Sequence, residues 1–174
     1  MKQLTIAVPS YNSEGFLHKC LGSFVYEDGT MDPRLEIIVV NDGSTDNTVG
    51  VARQWQAKYP DNIVVVDKEN GGHGSGINAG AKAASGRYYK VIDSDDWIVT
   101  ENLSKILDCL EGTEADAVIT GFHTVNIASG VVLPYGTEEG LTAAKESSLS
   151  DFMKNYEAVP AVQSFHGLMY NTQF

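Results

Sequence analysis

Residues 88–97 read YYKVIDSDDW, an apolar, strand-like run that ends in the carboxylates of Asp93, Asp95 and Asp96. Carboxylates this close raise one another's pKa unless solvent or a cation lies among them. Mg²⁺ and Mn²⁺ prefer oxygen ligands, and Mg²⁺ typically uses one or two carboxylates together with substrate phosphates and water. The same residues are also typical of a solvated turn that caps a following helix, because Ser and Asp are preferred at helix N-termini. This segment alone leaves both interpretations open.

The chain around this segment alternates short apolar runs with stretches of helical spacing. Strands are predicted at Leu4–Val8, Leu35–Val40, Ile63–Val66 and Tyr88–Ile92. Apolar residues at helical spacing predict helices within residues 16–24, 49–59, 77–84 and 103–110. Continuous apolar strands that alternate with helices are typical of a parallel sheet covered on both faces and joined by right-handed crossovers. The predicted fold class is therefore α/β, with a mostly parallel sheet flanked by helices.

The pattern changes in the C-terminal part of the chain. A strand is predicted at Ala117–Ile119, a hairpin at Phe122–Asn126 and Val131–Tyr135, and a helix around Leu149–Tyr156. A hairpin is therefore expected to follow the alternating part.

Polar residues follow each of the first four predicted strands at the point where the strand ends. Ser10–Ser13 follow the first strand, Asp42 the second, Lys68–Asn70 the third and Asp93–Asp96 the fourth. Open parallel sheets bind their ligands at the carboxyl ends of the strands. These four segments are therefore expected to converge on one binding site.

Composition limits the classes of function. The 174 residues are 43% hydrophobic and 20% charged, which is ordinary for a globular domain with a core. With 12 basic and 23 acidic residues the net charge is −11, and this argues against nucleic-acid binding, since phosphate recognition needs clustered Lys and Arg. Cys20 and Cys109 lie far apart without metal-ligand spacing, so both are expected to be buried free thiols.

The expected compartment is the cytoplasm. The N-terminal Met1–Gln3 enters a strand pattern directly, without the apolar region of a signal peptide, and no run of about 18 apolar residues occurs.

Three motifs together resemble one family. They are Val8–Asn12 (VPSYN), Val40–Thr48 (VNDGSTDNT) and Ile92–Asp96 (IDSDD). In this order and at this spacing they are similar to the family 2 glycosyltransferases of GT-A fold, over at least Leu4–Trp97. The resemblance implies a GT-A type fold with a Rossmann-like sheet. It also implies that the protein transfers a sugar with inversion from a nucleotide-diphosphate sugar, in particular a UDP-sugar, to an acceptor hydroxyl.

The resemblance also implies a domain plan and a set of partners. Residues 1–174 would be a single glycosyltransferase domain, with a nucleotide-binding half at 1–97 and the start of an acceptor half at 98–174. The partners would be the sugar donor and a glycan, lipid-linked or protein acceptor, as in cell-surface polysaccharide synthesis, with no nucleic acid. The protein would act in the cytoplasm or at the inner face of the membrane, with which the full-length protein could associate peripherally.

By this resemblance, the residues near the nucleotide have assigned roles. Tyr11 would stack on the base, and Asp42 would accept a hydrogen bond from a ring nitrogen of a uracil-type base. Asp93 would lie near the ribose and Asp96 beside the sugar, while Asp95 would bind the metal, Mn²⁺ or Mg²⁺. The implied nucleotide-sugar-binding residues are Pro9, Ser10, Tyr11, Asp42, Lys68, Asn70, Asp93 and Asp96.

Structural roles are the alternatives for the same residues. Residues 9–11 and Asp42 could be turn residues, and Lys68, Asn70 and His73 could be solvated loop residues instead of contacts to phosphate or sugar. Asp96 could cap a helix that begins at Trp97.

The catalytic base is the part of the family pattern that is missing. The family places an Asp or Glu well after the acidic motif, behind a strand that Ser164–Tyr170 resembles, so the base is expected beyond Phe174 and the chain is expected to be truncated. Four acidic residues within the chain are weaker candidates, namely Glu138, Glu139, Asp151 and Glu157. A non-catalytic nucleotide-sugar-binding module remains the alternative function, because it would keep every motif and lack only the base.

Overall fold

The computed structural model describes residues 1–135, 148 and 168–172. The chain divides into two compact units, Met1–Thr113 with Asn171–Phe174, and Glu114–Tyr170. Every residue of the predicted binding site belongs to the larger unit. Within the described residues, no helix is both long enough and apolar enough to cross a membrane.

Four parallel strands form the centre of the larger unit. In space they lie in the order β3-β2-β1-β4, with β1 paired to both β2 and β4. The predicted mostly parallel α/β sheet is confirmed. The strands are β1 (Leu4–Ser10), β2 (Leu35–Asp42), β3 (Ile63–Lys68) and β4 (Tyr88–Val91). The helices are α1 (Glu14–Gly22), α2 (Thr48–Lys58), α3 (His73–Ala83) and α4 (Leu103–Gly112), and a 3-10 turn at Thr100–Asn102 precedes α4.

Burial along the strands follows their place in the sheet. Both β1 and β2 are buried at every position, as expected for central strands, whereas β3 has exposed positions because it is an edge strand. The sequence predicts that β1 ends before Pro9, but the strand continues to Ser10. Since β4 pairs with β1 only over Leu4–Ala7, a single neighbouring strand remains at Pro9, and the missing N–H is tolerated.

Helix α3 lies close to the sheet because small residues face it. It packs against β1 and β2, while α1 and α2 pack against each other. A Cβ atom added to Gly80 would lie 2.6 Å from the Cβ of Ala7, and one added to Gly76 would lie 3.1 Å from the Cβ of Pro9. Glycine therefore allows the start of α3 to approach the C-terminal end of β1.

The two cysteines differ in exposure. Cys20 is buried in α1, as predicted, but Cys109 is exposed, so the prediction of a buried thiol at position 109 is wrong. Helix α4 buries Leu103, Leu107 and Leu110, and at 100° per residue Cys109 points away from that stripe.

The smaller unit contains antiparallel pairs. Strand β5 (Ala117–Ile119) pairs with β8 (Leu168–Asn171), and β6 (Phe122–Val125) forms a hairpin with β7 (Val132–Tyr135). The predicted hairpin is confirmed. The predicted helix around residues 149–156 lies outside the described residues.

Candidate functional site

The site lies where the order of the strands reverses. The chain runs outward from β1 through β2 to β3 and then returns to β4 on the other side of β1. Sheets of this kind bind ligands beyond the carboxyl ends of the strands at such a switch point. The last residues of β1, β2 and β3, together with the loops that follow the strands, carry the residues of the predicted site.

A pocket of about 320 Å³ opens at this edge of the sheet. Five predicted site residues line it, contributed by the C-terminal ends of β1 and β2 and by the loops after β1 and β3, and the N-terminal part of α3 completes the wall. Tyr11 is 53% exposed, so its ring is accessible to a ligand. The residues of the wall are Pro9, Ser10, Tyr11, Asp42, Asn70, Gly72, His73 and Gly76.

Asp42 is the buried charge of the pocket. It is 4% exposed, and its Oδ1 accepts hydrogen bonds from the ammonium group of Lys68 and, at 3.0 Å, from the backbone N–H of Gly71. The bond from Lys68 is the main cause that holds the pKa of the Asp42 carboxyl below its usual value, and the Gly71 N–H adds to it. Asp42 is therefore ionised at neutral pH. Lys68, which was predicted to contact phosphate or sugar, is bonded to Asp42 in this structure.

Glycine is required directly after Asp42. Gly43 has a φ of +70°, and a Cβ there would lie 2.7 Å from the backbone nitrogen of Asn70. The loops after β2 and β3 therefore touch at this point, which brings Asn70 to the pocket.

Much of the VNDGSTDNT motif holds loops together instead of facing the pocket. Asp46 accepts hydrogen bonds from the backbone N–H groups of Glu14, at 3.1 Å, and Thr48, at 3.0 Å, so one carboxylate serves the first turns of two helices. Asn12, at a φ of 51°, donates its N–H to Ser44 Oγ and accepts from the N–H of Thr45. These structural roles were not predicted from the sequence.

The acidic turn, Asp93–Asp96, follows β4. It is closed by a hydrogen bond of 3.0 Å from the N–H of Asp96 to the carbonyl of Asp93. Residues 96–99 are neither helix nor strand, and the next helical residue is Thr100. The interpretation of Asp96 as the cap of a helix that begins at Trp97 is therefore wrong. Asp95 is exposed and Asp96 is partly buried.

One carboxylate oxygen of the turn lacks a hydrogen-bond partner. Asp93 Oδ1 is buried, and no donor from the described residues satisfies it, although His73 Nε2 lies 3.5 Å away. A buried polar atom without a partner is uncommon, and a water molecule, an ion or a ligand can satisfy it. The contact also brings His73 to the acidic turn. In the sequence, only the position of His73 in the glycine-rich stretch after β3 indicated a role at the site.

The acidic turn fits a divalent ion of the kind that the sequence predicts. No group of three or more His, Cys, Asp or Glu side chains in the described part could hold a metal by itself. Mg²⁺ sites that use one or two carboxylates and complete their shell with substrate phosphates need no such group. Asp93, with its unpaired oxygen, and the exposed Asp95 supply oxygen ligands of this type.

The candidates for the catalytic base within the chain, Glu138, Glu139, Asp151 and Glu157, lie outside the described residues.

Comparison with known proteins identifies the family. The pattern of Glycosyl transferase family 2 matches residues 5–167, so the chain belongs to this family. The poly(ribitol-phosphate) beta-glucosyltransferase of Bacillus spizizenii is 32% identical over 126 residues, which is 71% of this chain and 20% of that protein. The glycosyltransferase GlyA of Streptococcus pneumoniae is 31% identical over 129 residues, which is 74% of this chain and 18% of that protein.

A solved structure agrees with the sequence relatives. The crystal structure of residues 1–349 of S. aureus TarS superimposes with a TM-score of 0.71 and 26% identity, over 98% of this chain and 47% of that one. The same TarS fragment has been crystallised with UDP and with UDP-GlcNAc. The GT-A fold that the sequence predicts is thereby confirmed. The chain spans a fifth or less of the two curated relatives named above and about half of the TarS fragment.

Proposed function

We propose that this chain binds a UDP-sugar together with a divalent metal ion and belongs to an inverting glycosyltransferase. In the reaction, the bond between the anomeric carbon and the β-phosphate oxygen breaks, and the acceptor oxygen forms a new bond to the anomeric carbon from the opposite face. UDP leaves, and the proton of the acceptor hydroxyl passes to a base. The observation that carries the proposal is the ionised Asp42 in the wall of the pocket, with the Lys68 ammonium bonded to it from outside that wall.

Asp42 and Lys68 together match one edge of uracil. The ring N3–H of uracil is a donor flanked by carbonyl oxygens, so a carboxylate can accept from the N–H while an ammonium group donates to a carbonyl. Cytosine and adenine present a ring nitrogen without hydrogen at the corresponding edge. The N1–H and O6 of guanine resemble the uracil pattern, but a purine is larger. The pair therefore favours UDP, and the complexes of TarS with UDP and UDP-GlcNAc support this choice.

The residues near Asp93 would hold the ribose and the diphosphate. Asp93 would accept from a ribose hydroxyl or contribute to the metal site, and Asp95 would bind the ion. When bound, a divalent ion stabilises the negative charge that develops on the departing diphosphate. Gly72 and His73 line the pocket at the start of α3, where backbone N–H groups favour a phosphate.

The acceptor class follows from the relatives. The B. spizizenii relative is named for a poly(ribitol-phosphate) acceptor, a polymer that offers hydroxyl groups. We therefore propose a hydroxyl group of a cell-surface polymer as the acceptor for the whole protein. The base that removes its proton is not assigned to a described residue.

Calorimetric titration of the chain tests the proposal. UDP, GDP, CDP and ADP are titrated in the presence of Mn²⁺, and UDP again in excess EDTA. UDP should bind most tightly, and EDTA should weaken its binding. Equal affinities for all four diphosphates would contradict base recognition by Asp42, and UDP binding unaffected by EDTA would contradict the metal site. Release of UDP from UDP-glucose or UDP-GlcNAc by the whole protein, in the presence of a polymer acceptor, separates an enzyme from a binding module.

A further inference from the structure

Helix α1 contacts the acidic turn along one side. At its start, Ser13 Oγ and Ser94 Oγ are hydrogen-bonded at 2.7 Å, and both residues are buried. Further along, Cys20 Sγ donates to the carbonyl oxygen of Asp93 at 3.9 Å. Burial raises the pKa of the Cys20 thiol to about 12, and the nearby charges of the acidic turn add to that rise. The turn therefore lies directly against α1.

The segment that follows the turn is held by the last turn of the same helix. The Nζ of Lys19 lies 3.0 Å from the centre of the Trp97 ring, within the range of a cation–π contact. Ser23, just after α1, accepts a hydrogen bond from the N–H of Ile98 at 3.1 Å through its Oγ, and its carbonyl accepts from Thr100 Oγ1 at 2.7 Å.

Residues 96–99 have no helix or strand of their own, so their path depends on such contacts. Trp97 is 37% exposed, and the Lys19 ammonium lies over the face of its ring. Asp95 lies two residues before Trp97, so only a very short stretch of chain joins the ring to the exposed carboxylate.

We propose that Lys19 is a positioning residue for the acidic turn: it fixes Trp97 and thereby holds Asp95 where it binds the metal ion of the donor complex. The inference rests on the proposed function, because it assumes that the turn receives that ion. It does not require Lys19 to touch the donor.

The sign of the effect separates positioning from simple electrostatics. Lys19 is a cation close to a site for another cation, so by Coulomb's law alone its removal should strengthen metal binding. If Lys19 acts by positioning the turn, its removal should weaken metal binding instead. A cation–π contact at an exposed site corresponds to a loss of about two- to fivefold in affinity.

The test compares Lys19→Met, Trp97→Leu and the double variant with a matched control, Lys58→Met. Lys58 lies on α2, with its Nζ 5.7 Å from the centre of the Trp55 ring, so the control removes the same charge and a similar contact away from the turn. Mn²⁺ binding to the chain saturated with UDP is measured by electron paramagnetic resonance. Lys19→Met and Trp97→Leu should each weaken Mn²⁺ binding by about two- to fivefold. The double variant should bind Mn²⁺ as well as the single variant with the lower affinity, because both substitutions remove the same contact. Lys58→Met should match the unsubstituted chain.

Hydrogen exchange of the metal-free chain gives a second readout. The amides of residues 94–98 should exchange faster in Lys19→Met than in Lys58→Met, while melting temperatures stay similar because Lys19 is exposed. Unchanged exchange, or Mn²⁺ affinity that is equal or higher in Lys19→Met, would overturn the positioning role and leave the proposed function standing. Failure of the unsubstituted chain to bind Mn²⁺ with UDP would overturn both.

Discussion

Replacing Asp42 by Ala should remove most of the preference of the chain for UDP, and the structure sets the size of the loss. Asp42 is 4% exposed and is fixed by Lys68 and Gly71, so a base in the pocket meets a carboxylate that is already oriented. A buried polar group left without its partner costs about 1–3 kcal/mol. At about 1.4 kcal/mol for each factor of ten, UDP affinity should fall by about 5- to 150-fold.

The affinity for ADP and CDP should fall much less, because neither base presents a ring N–H that could donate a hydrogen bond to the carboxylate. The gap between UDP and the other diphosphates should therefore narrow in Asp42→Ala. Calorimetric titration of each diphosphate, with the same Mn²⁺ concentration for both proteins, measures the gap directly. A variant that loses UDP and ADP affinity by the same factor would refute base recognition and make Asp42 a structural residue of the loop.

A second variant separates recognition from damage to the loop. Asp46 follows on the same loop and accepts from Glu14 and Thr48, but it is not part of the pocket wall. Asp46→Ala should lower the melting temperature, because two helix starts lose a hydrogen-bond acceptor. It should leave the ratio of UDP to ADP affinity unchanged. A narrowed ratio in this variant as well would show that the Asp42 result reflects the loop as a whole.

Two further predictions concern charged residues. Asp95→Ala should weaken UDP binding in the presence of Mn²⁺ more than Asp96→Ala does, and the difference should vanish in EDTA; equal effects in calorimetry would remove the metal-ligand assignment. Arg34 donates hydrogen bonds to both carboxylate oxygens of Asp32, and these bonds hold the Asp32 pKa below its usual value. They therefore stabilise the fold fully at pH values above the unfolded pKa of about 3.9. This stabilisation is lost as the pH falls through the lower pKa of the folded state. Arg34→Met should lower the free energy of unfolding by about 1–3 kcal/mol at pH 7, and the gap from the unsubstituted chain should shrink below about pH 4 in urea titrations.

The sheet and the location of the site were predictable because each depends on local pattern. A buried parallel strand requires a continuous apolar run, and the carboxyl ends of parallel strands lie at one edge by geometry. Residues 9–11, 42 and 70 therefore line one pocket, although neither Lys68 nor any residue of Asp93–Asp96 is part of its wall.

Contacts between distant loops were not predictable in the same way. The bond from Lys68 to Asp42 joins the ends of two strands, and the approach of His73 to Asp93 joins α3 to the acidic turn. No spacing in the sequence encodes either pair, because each depends on how the strands are aligned in the sheet. The exposure of Cys109 could have been predicted, since the stripe of leucines on α4 defines which side of that helix is buried.

The close approach of α3 to β1 gives a last prediction, with its control on the same helix. A Cβ at position 80 would lie 2.6 Å from the Cβ of Ala7 and 3.0 Å from the hydroxyl oxygen of Tyr89, and both belong to the sheet. Gly80→Ala should therefore lower the free energy of unfolding by about 1–3 kcal/mol, as overpacking does, despite the better helix propensity of Ala. At position 74 a Cβ meets nothing within 4 Å, so Gly74→Ala should raise that free energy by up to about 1 kcal/mol. Urea denaturation of both variants measures the two changes. If Gly80→Ala were as stable as Gly74→Ala, the close packing of α3 on β1, the strand that carries Pro9 and Ser10 into the pocket, would be contradicted.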